Sequence, residues 1–307
     1  MQHSIPVIDM SRAEDPATRV PFVRDLGRAL TETGFVAVLN HGVDLALIDE
    51  GYSAARRLFE LPFAVKRRHE TPEDGRQRGY TSFGVEHAKD VAVPDLKEFW
   101  HVGRRLPSSH PLRVSGAVPR NQFPRELPEA RIVFQQLFDE LEGFANRLLD
   151  GLGDYLELPP GTLGDLVRDG NSVQRLIHYP ALGDETLGGM VRAAAHEDIN
   201  LITVLPWSPN PGLQILTREG QWLDVTTPRD VMICDTGDMM QFLSAGTLPA
   251  TTHRVVNPMD KDEARYSMPF FLHPAPHRRL VPFRAGGGEP VLASEFLRQR
   301  LEEIGVA

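Results

Sequence analysis

The chain has 307 residues, of which 41% are hydrophobic and 24% charged, proportions that are ordinary for a globular protein. Asp and Glu number 42 against 33 Lys and Arg, so the net charge is −9 and binding to nucleic acid or to an anionic membrane is not expected. The single cysteine excludes an intrachain disulfide and favours a reducing, cytoplasmic location. No apolar run reaches membrane-spanning length, and we expect no signal peptide because the first residues lack its basic and apolar segments.

The first half of the chain is predicted to be mainly helical. A short edge strand at 5–9 comes first, since Pro6 cannot donate to a neighbouring strand. A buried strand is predicted over 35–39, after Gly34 has ended the first helix. Apolar residues at helical spacing predict helices around 22–30, 45–59 and 131–152, the last with an apolar stripe that includes Ile132.

The second half changes to short apolar segments separated by turn residues, a pattern typical of a β sandwich or barrel. The predicted strands cover 173–179, 199–205, 213–216, 222–225, 231–233, 239–243, 254–256 and 266–272. A last helix is predicted over about 294–304.

The predicted fold class is therefore α+β, with a double-stranded β-helix (jelly-roll) core and flanking helices that come mainly from the N-terminal half. We expect one domain over 1–307, because no linker separates the two halves. Its expected parts are a mainly helical region at 1–170, a core that carries the metal site at 171–280, and a C-terminal helix at 281–307.

Three residues of the metal-ligand type lie in the predicted core: His196, Asp198 and His253. Residues two apart on a strand point to the same face, so His196 and Asp198 can reach one ion. His253 follows Asp198 by 253 − 198 = 55 residues, which suits a neighbouring strand of a double-stranded β-helix. Two imidazoles and one carboxylate on iron(II) leave three positions open, as in non-haem iron(II) oxygenases.

A His-x-Asp pair alone is weak evidence in a chain with 11 histidines, and a lone His253 is more often a surface or hydrogen-bonded residue. Arg265 and Ser267 strengthen the case, because they lie two apart on a further predicted strand and present a planar fork and a hydroxyl to one face. That pair suits a carboxylate ligand. A surface salt bridge is the alternative for Arg265, but the apolar run that follows it indicates a buried strand.

Several motifs occur together along nearly the whole chain. They are IPVID (5–9), GFVAVLNHG (34–42), RGY (78–80), DLKEF (95–99), LIHYP (176–180), GLQIL (212–216), TGD (236–238), THRV (252–255) and RYS (265–267). In identity and order they resemble the isopenicillin N synthase-like family of iron(II)/2-oxoglutarate-dependent dioxygenases. Their shared order is more specific than the His-x-Asp pair.

The resemblance implies that iron(II) is bound by His196, Asp198 and His253, with no catalytic residue beyond these ligands. It implies that Arg265 and Ser267 bind the far carboxylate of 2-oxoglutarate. The expected reaction uses dioxygen, releases succinate and carbon dioxide, and hydroxylates, desaturates or cyclises a small molecule at an unactivated C–H bond.

Tyr179 stands where the family has a tyrosine near a carboxylate of the co-substrate or substrate. A core tyrosine of a β-strand is an equal alternative. Ile177 stands where many plant members carry asparagine, so that contact is absent here or supplied by another residue.

The substrate side is expected in segments that line it in relatives. Arg78 and Arg175 are candidates to hold an anionic group, which suggests an amino-acid-like or carboxylate-bearing substrate. Solvated charge is the alternative for the basic residues, and core packing for the aromatic ones. The candidate set is Arg78, Tyr80, Phe83, Lys97, Phe99 and Arg175.

Two other functions stay open at this point. One is an iron(II) oxidase of the same family that does not use 2-oxoglutarate, which dioxygen uptake without that co-substrate would reveal. The other is a non-catalytic β-helix protein that binds a small molecule or a partner, which an absence of iron binding would favour. The sequence does not specify the oligomeric state.

Overall fold

The computed structural model describes residues 5–87, 94–181, 191–257 and 263–304. Within these residues the chain forms eight α-helices: α1 Pro16–Thr33, α2 Leu45–Glu60, α3 Phe63–Lys66, α4 Pro111–Val114, α5 Ala130–Tyr155, α6 Thr162–Val167, α7 Asp238–Leu243 and α8 Ala293–Glu303. None of the helices formed by these residues is long and apolar enough to cross a membrane.

The same residues form fifteen strands: β1 Val7–Asp9, β2 Phe35–Leu39, β3 Gly79–Thr81, β4 Glu98–Gly103, β5 Val173–Tyr179, β6 Ala193–His196, β7 Ile202–Leu205, β8 Leu213–Leu216, β9 Trp222–Asp224, β10 Met232–Thr236, β11 His253–Val255, β12 Arg265–Ser267, β13 Phe270–Leu272, β14 Arg279–Leu280 and β15 Val291–Leu292. A nine-stranded sheet has the order β1-β2-β10-β7-β13-β5-β4-β3, with β12 also paired to β5. A four-stranded sheet has the order β6-β11-β8-β9, and β14 pairs with β15. The α+β jelly-roll fold predicted from the sequence is confirmed.

The large sheet takes strands from both halves of the chain. β1 to β4 come from the region predicted to be mainly helical. Of these, β2 pairs with β10 and β4 pairs with β5 from the core. β1 lies at the edge of the sheet, as the proline next to it predicts. The helical part and the β core are therefore joined by a shared sheet.

The turn between α1 and β2 depends on a glycine. Asp15 begins the helix by accepting the backbone N–H of Ala17 (2.9 Å). Gly34 ends it with φ at 69° and donates its N–H to Leu30 O (2.9 Å). A Cβ at Gly34 would lie 2.1 Å from Thr251 Oγ1. The glycine thus allows β2 to lie against the segment that leads into β11.

α5 is the central helix of the fold and packs against α1, α2 and the large sheet. Phe138 on α5 meets Phe270 of β13 edge to face, with ring centres 5.1 Å apart. The predicted apolar stripe is buried except at its start, where Ile132 is 60% exposed. Val133 takes the inward position in that turn and is 7% exposed.

One predicted strand is wrong. Residues 239–243 form part of α7, whose apolar residues Met239, Met240 and Leu243 point into the core. A five-residue apolar run does not distinguish a strand from a short buried helix. Gly237 precedes the helix in an extended conformation, and Ser244 ends it.

Two other predicted strands are shorter or divided. Of 199–205, only Ile202–Leu205 is a strand, because the backbone before it bonds to the start of α7. The predicted strand 266–272 is split into β12 and β13 at Pro269, which has no N–H to donate. β3 and β4 were not predicted, since the segment 71–128 is rich in glycine, proline and charge. β6 was not predicted because three of its four residues are alanine, which has a low strand propensity.

Candidate active site

The three ligand-type residues converge at one end of the small sheet. His196 is the last residue of β6, and His253, the first residue of β11, is its direct cross-strand partner. Asp198 lies in the segment after β6, so the expectation that His196 and Asp198 lie two apart on one strand is wrong. Asp198 Oδ1 is 3.9 Å from His196 Nε2 and 3.8 Å from His253 Nε2. One ligand atom from each residue lies within 4.8 Å of the others, close enough to bind one ion.

Backbone carbonyls orient both imidazoles. His196 Nδ1 bonds to Ala194 O (2.7 Å), and His253 Nδ1 bonds to Thr251 O (3.1 Å). Because a carbonyl only accepts, each Nδ1 carries a proton, and each Nε2 faces Asp198 Oδ1. Burial, followed by the charge of His253, lowers the pKa of His196 to about 4, so this ring is neutral at pH 7.

Asp198 is held by a side chain and by its own backbone. The hydroxyl of Thr203 donates to Asp198 Oδ2, which leaves Oδ1 facing the histidines. The backbone O of Asp198 accepts the N–H of Asp238 at the start of α7 (2.7 Å). A Cβ on Gly237 would lie 2.7 Å from that same oxygen, so only glycine allows this approach. Two imidazoles and one carboxylate, each oriented in advance, suit iron(II) with open positions.

Arg265 and Ser267 lie on β12, opposite Tyr179 and Ile177 of β5. Arg265 is 3% exposed, and its Nη1 has no hydrogen-bond partner among the described residues. A buried guanidinium N–H without a partner fits an anionic ligand such as the far carboxylate of 2-oxoglutarate. The Tyr179 ring packs 5.2 Å from the guanidinium carbon and also lines the cavity, so it supports Arg265. Ile177 contributes an apolar side chain to that wall.

A cavity of about 510 Å³ connects these groups and is large enough for a small molecule. Alternate residues of β5, namely Val173, Arg175, Ile177 and Tyr179, face it from the large sheet. The small sheet contributes the two histidines, and residues of α8 close another side.

The substrate-side candidates divide into two groups. Lys97 and Arg175 line the cavity, and both are ion-paired rather than solvated. Arg78, Tyr80, Phe83 and Phe99 are not among the described residues that line it.

These four candidates have other surroundings. Arg78 is fully buried, donates to Asn171 Oδ1 (2.7 Å), and has its pKa lowered to about 9 by burial. The hydroxyl of Tyr80 donates to Glu98 Oε2 (2.5 Å). Phe83 is 42% exposed, and the ring of Phe99 packs 4.4 Å from the guanidinium carbon of Arg175.

Two residues that help to form the site, Thr203 and Asp235, were not predicted from the sequence. Thr203 orients Asp198, but a threonine in a strand gives no signal of that role. Asp235 lines the cavity from β10, and burial followed by the charge of Asp198 raises its pKa well above the ordinary value. Asp235 directly follows the apolar run 231–234, and an acid next to a buried strand is unusual, so this position could have been identified from the sequence.

Comparison with known proteins agrees with this geometry. Residues 5–126 match the family described as the non-haem dioxygenase in morphine synthesis N-terminal, and residues 170–274 match the 2OG-Fe(II) oxygenase superfamily. The 2-oxoglutarate-dependent dioxygenase frbA of Dothideomycetidae sp. (strain 11243) is 30% identical, over 89% of this chain and 86% of that protein.

Two solved structures show the same fold over nearly the whole chain. A 2OG-Fe(II) oxygenase family protein from Caulobacter crescentus is 36% identical, with a TM-score of 0.86 over 98% of this chain and 99% of that one. A full-length Neurospora crassa protein in complex with alpha-KG is 25% identical, with a TM-score of 0.85 over 97% of this chain and 95% of that one. The comparisons favour an enzyme that uses 2-oxoglutarate over an oxidase without it and over a non-catalytic binding protein. The chain belongs to the 2OG-Fe(II) oxygenase superfamily and is a non-haem oxidoreductase that uses iron(II), 2-oxoglutarate and dioxygen on a small molecule.

Proposed function

We propose that His196, Asp198 and His253 bind the iron(II) and that Arg265 and Ser267 bind the far carboxylate of 2-oxoglutarate. The observation that carries this proposal is the convergence of three oriented ligand atoms within 4.8 Å of one another. The unpartnered Nη1 of Arg265, in the same cavity, supports the second part. Bound iron(II) supplies the activation of dioxygen, with 2-oxoglutarate oxidised to succinate and carbon dioxide.

The residues of this chain bind, orient and exclude water. The carbonyls of residues 194 and 251 keep the imidazoles in the tautomer that can bind a metal. Asp198 offsets part of the charge of the ion, and Tyr179 packs beside Arg265 so that its guanidinium has one orientation. The side chains of Asp198 and His253 are 9% and 10% exposed, which limits access of water to the C–H bond that is oxidised.

The substrate is a small molecule held in the cavity beside the metal ligands. The Neurospora crassa relative has also been crystallised with alpha-KG and thymine together, so that protein binds a small molecule beside its co-substrate. We propose hydroxylation as the reaction, with desaturation or ring closure as the alternative outcomes at the same C–H bond. Lys97 and Arg175 are the proposed substrate-side residues, because they line the cavity.

The test is succinate formation by the purified chain, loaded anaerobically with iron(II) and then exposed to oxygen with a set of small molecules. Succinate should form only with both iron(II) and 2-oxoglutarate, and a substrate should increase its rate and appear with one added oxygen atom. Dioxygen uptake without 2-oxoglutarate would contradict the proposal.

Two further expectations stay predictions. The first is that residues 1–307 form one domain, with parts divided near 170 and 280. The sheet shared by both halves of the chain supports it. The buried free thiol of Cys234 is consistent with the expected cytoplasmic location.

A further inference from the structure

One wall of the cavity is a cluster of buried ion pairs formed by Glu86, Asp95, Lys97 and Arg175. Glu86 Oε1 is 2.6 Å from Lys97 Nζ and 3.0 Å from Arg175 Nη1. Asp95 Oδ2 is 2.7 Å from the same Nζ. Two acids and two bases make this cluster, named here the Glu86 cluster, electrically neutral.

Arg175 is fixed within the cluster on several sides. Its Nε donates to His101 Nε2 (2.7 Å), and His101 Nδ1 donates to Arg76 O (2.9 Å). Because a guanidinium only donates and a carbonyl only accepts, His101 is neutral. Burial, together with the charge of Arg175, lowers the pKa of His101 well below its ordinary value, which agrees. Phe99 and Phe271 pack with their ring centres 4.4 and 5.3 Å from the guanidinium carbon.

Two polar atoms of the cluster have unused hydrogen-bonding capacity. Glu86 Oε2 is buried without a partner among the described residues. Arg175 bonds through Nε and Nη1, so within the same residues its Nη2 has no protein acceptor. One is an acceptor and the other a donor, and both residues line the cavity.

The rest of the cavity offers no unpaired cation for an anionic substrate, as far as the described residues go. Arg265 is assigned to 2-oxoglutarate. Arg300 of α8 is 3.0 Å from Asp238 Oδ2 and 3.1 Å from Glu303 Oε2. Among the described residues that line the cavity, Arg265 is thus the one arginine or lysine without an ion pair.

We propose, on the basis of the oxygenase function above, that Arg175 and Glu86 recognise an uncharged amide-type group of the substrate. Its carbonyl oxygen accepts from Arg175 Nη2, and its N–H donates to Glu86 Oε2. An amide supplies both missing partners and leaves the Glu86 cluster neutral. A carboxylate brings an unbalanced charge into a buried site and has no N–H for Glu86, which is costly in a low-dielectric environment. The proposal replaces the expectation of a carboxylate-bearing substrate.

The test compares two probes of matched shape, cyclohexanecarboxamide and cyclohexanecarboxylate. Each is titrated calorimetrically into the protein loaded with iron(II) and 2-oxoglutarate under argon. The native chain should bind the carboxamide at least about tenfold more tightly than the carboxylate, because the carboxylate leaves polar atoms of the site unpaired. Equal or tighter binding of the carboxylate would overturn the proposal, and so would binding of neither probe.

Charge variants sharpen the test. Glu86→Gln gives the cluster a net charge of +1, so the preference for the carboxamide should fall by about tenfold. The double variant Glu86→Gln, Arg175→Gln restores neutrality and serves as the matched control. In it, the affinity for the carboxylate should not rise above that of the native chain. A preference unchanged in Glu86→Gln, with the fold intact by circular dichroism, would overturn the role of Glu86. Iron-dependent succinate formation is measured in parallel, so a failure of the oxygenase assignment is distinguished from a failure of this inference.

Discussion

The metal side and the substrate side of the cavity hold their functional groups by different means. On the metal side, backbone carbonyls of residues 194 and 251 orient the two histidines. On the substrate side, Arg175 and Lys97 are oriented by other side chains, chiefly Glu86. Backbone carbonyls are present whatever the sequence, whereas a side-chain cluster changes with each substitution. One jelly roll can therefore keep its oxidant and vary its substrate.

The largest effect is expected when a proposed metal ligand is removed. His253→Ala removes one of three ligands, so iron binding and succinate formation should both be lost while the fold remains. Iron binding is measured as iron content after anaerobic loading, turnover as succinate formation, and the fold by circular dichroism. His277→Ala, which changes an exposed histidine, is the matched control. Retention of a full equivalent of tightly bound iron by His253→Ala would contradict the assigned ligand set.

The next effect concerns the co-substrate. Arg265→Ala removes a charge-assisted contact worth about 1.5–3 kcal/mol, so the KM for 2-oxoglutarate should rise about tenfold or more. Steady-state succinate formation at varied 2-oxoglutarate measures it, with the exposed Arg279→Ala as control. An unchanged KM for 2-oxoglutarate with weaker substrate binding would assign Arg265 to the substrate instead.

A smaller effect tests the orientation of Asp198. Thr203→Val keeps the shape of the side chain and removes the hydroxyl that donates to Asp198 Oδ2. Loss of such a supporting hydrogen bond typically weakens metal affinity by about 10–100-fold. Iron titration at fixed pH gives the value, and the exposed Thr226→Val should match the native chain. Native affinity in Thr203→Val would show that the loop alone positions the carboxylate.

The last prediction tests the substrate side through stability and pH. Burial raises the pKa of Glu86, but the charges of Arg175 and Lys97 and a hydrogen bond from Lys97 outweigh it and hold the pKa well below 4.5. A lowered pKa in the folded state adds stability above the unfolded-state pKa, and this stability is lost as pH falls toward the folded value.

Glu86→Gln should therefore lose less unfolding free energy than the native chain between about pH 6 and pH 3. At pH 7 it should be less stable by about 3 kcal/mol, since two buried cations lose a partner. Denaturant unfolding from about pH 7 to pH 3 measures the stability at pH 7 and its loss toward low pH. Glu14→Gln, which changes an exposed glutamate, is the control. Parallel pH profiles for Glu86→Gln and the native chain would argue against a structural role for the cluster.

The metal side was predictable because its information is local. The strands 35–39, 173–179 and 213–216 were predicted with the bounds that the structure has. His196, Asp198, His253, Arg265 and Ser267 stand in short motifs, so the sequence was enough to select them. The pairing of β6 with β11, which brings the two histidines together, was not predicted.

The substrate side was not predictable from the same patterns. The Glu86 cluster combines residues from the segment after β3, from the segment just before β4 and from β5, and only the pairing of these strands brings them together. Arg78 stands in the RGY motif, but its side chain donates to Asn171 and to the carbonyl of Gln77, and it does not line the cavity itself. Helix α7 was missed because short apolar runs carry no reliable period.

The pairing of His196 with His253 across neighbouring strands also has a consequence for folding. An ion bound by both histidines and by Asp198 is a cross-link between parts of the chain that lie 253 − 198 = 55 residues apart. The ion binds the folded chain and not the unfolded one. By mass action, the free energy of unfolding therefore rises with the concentration of free iron(II). The ion is then also a structural link of the small sheet, and the melting temperature should rise with the concentration of iron(II).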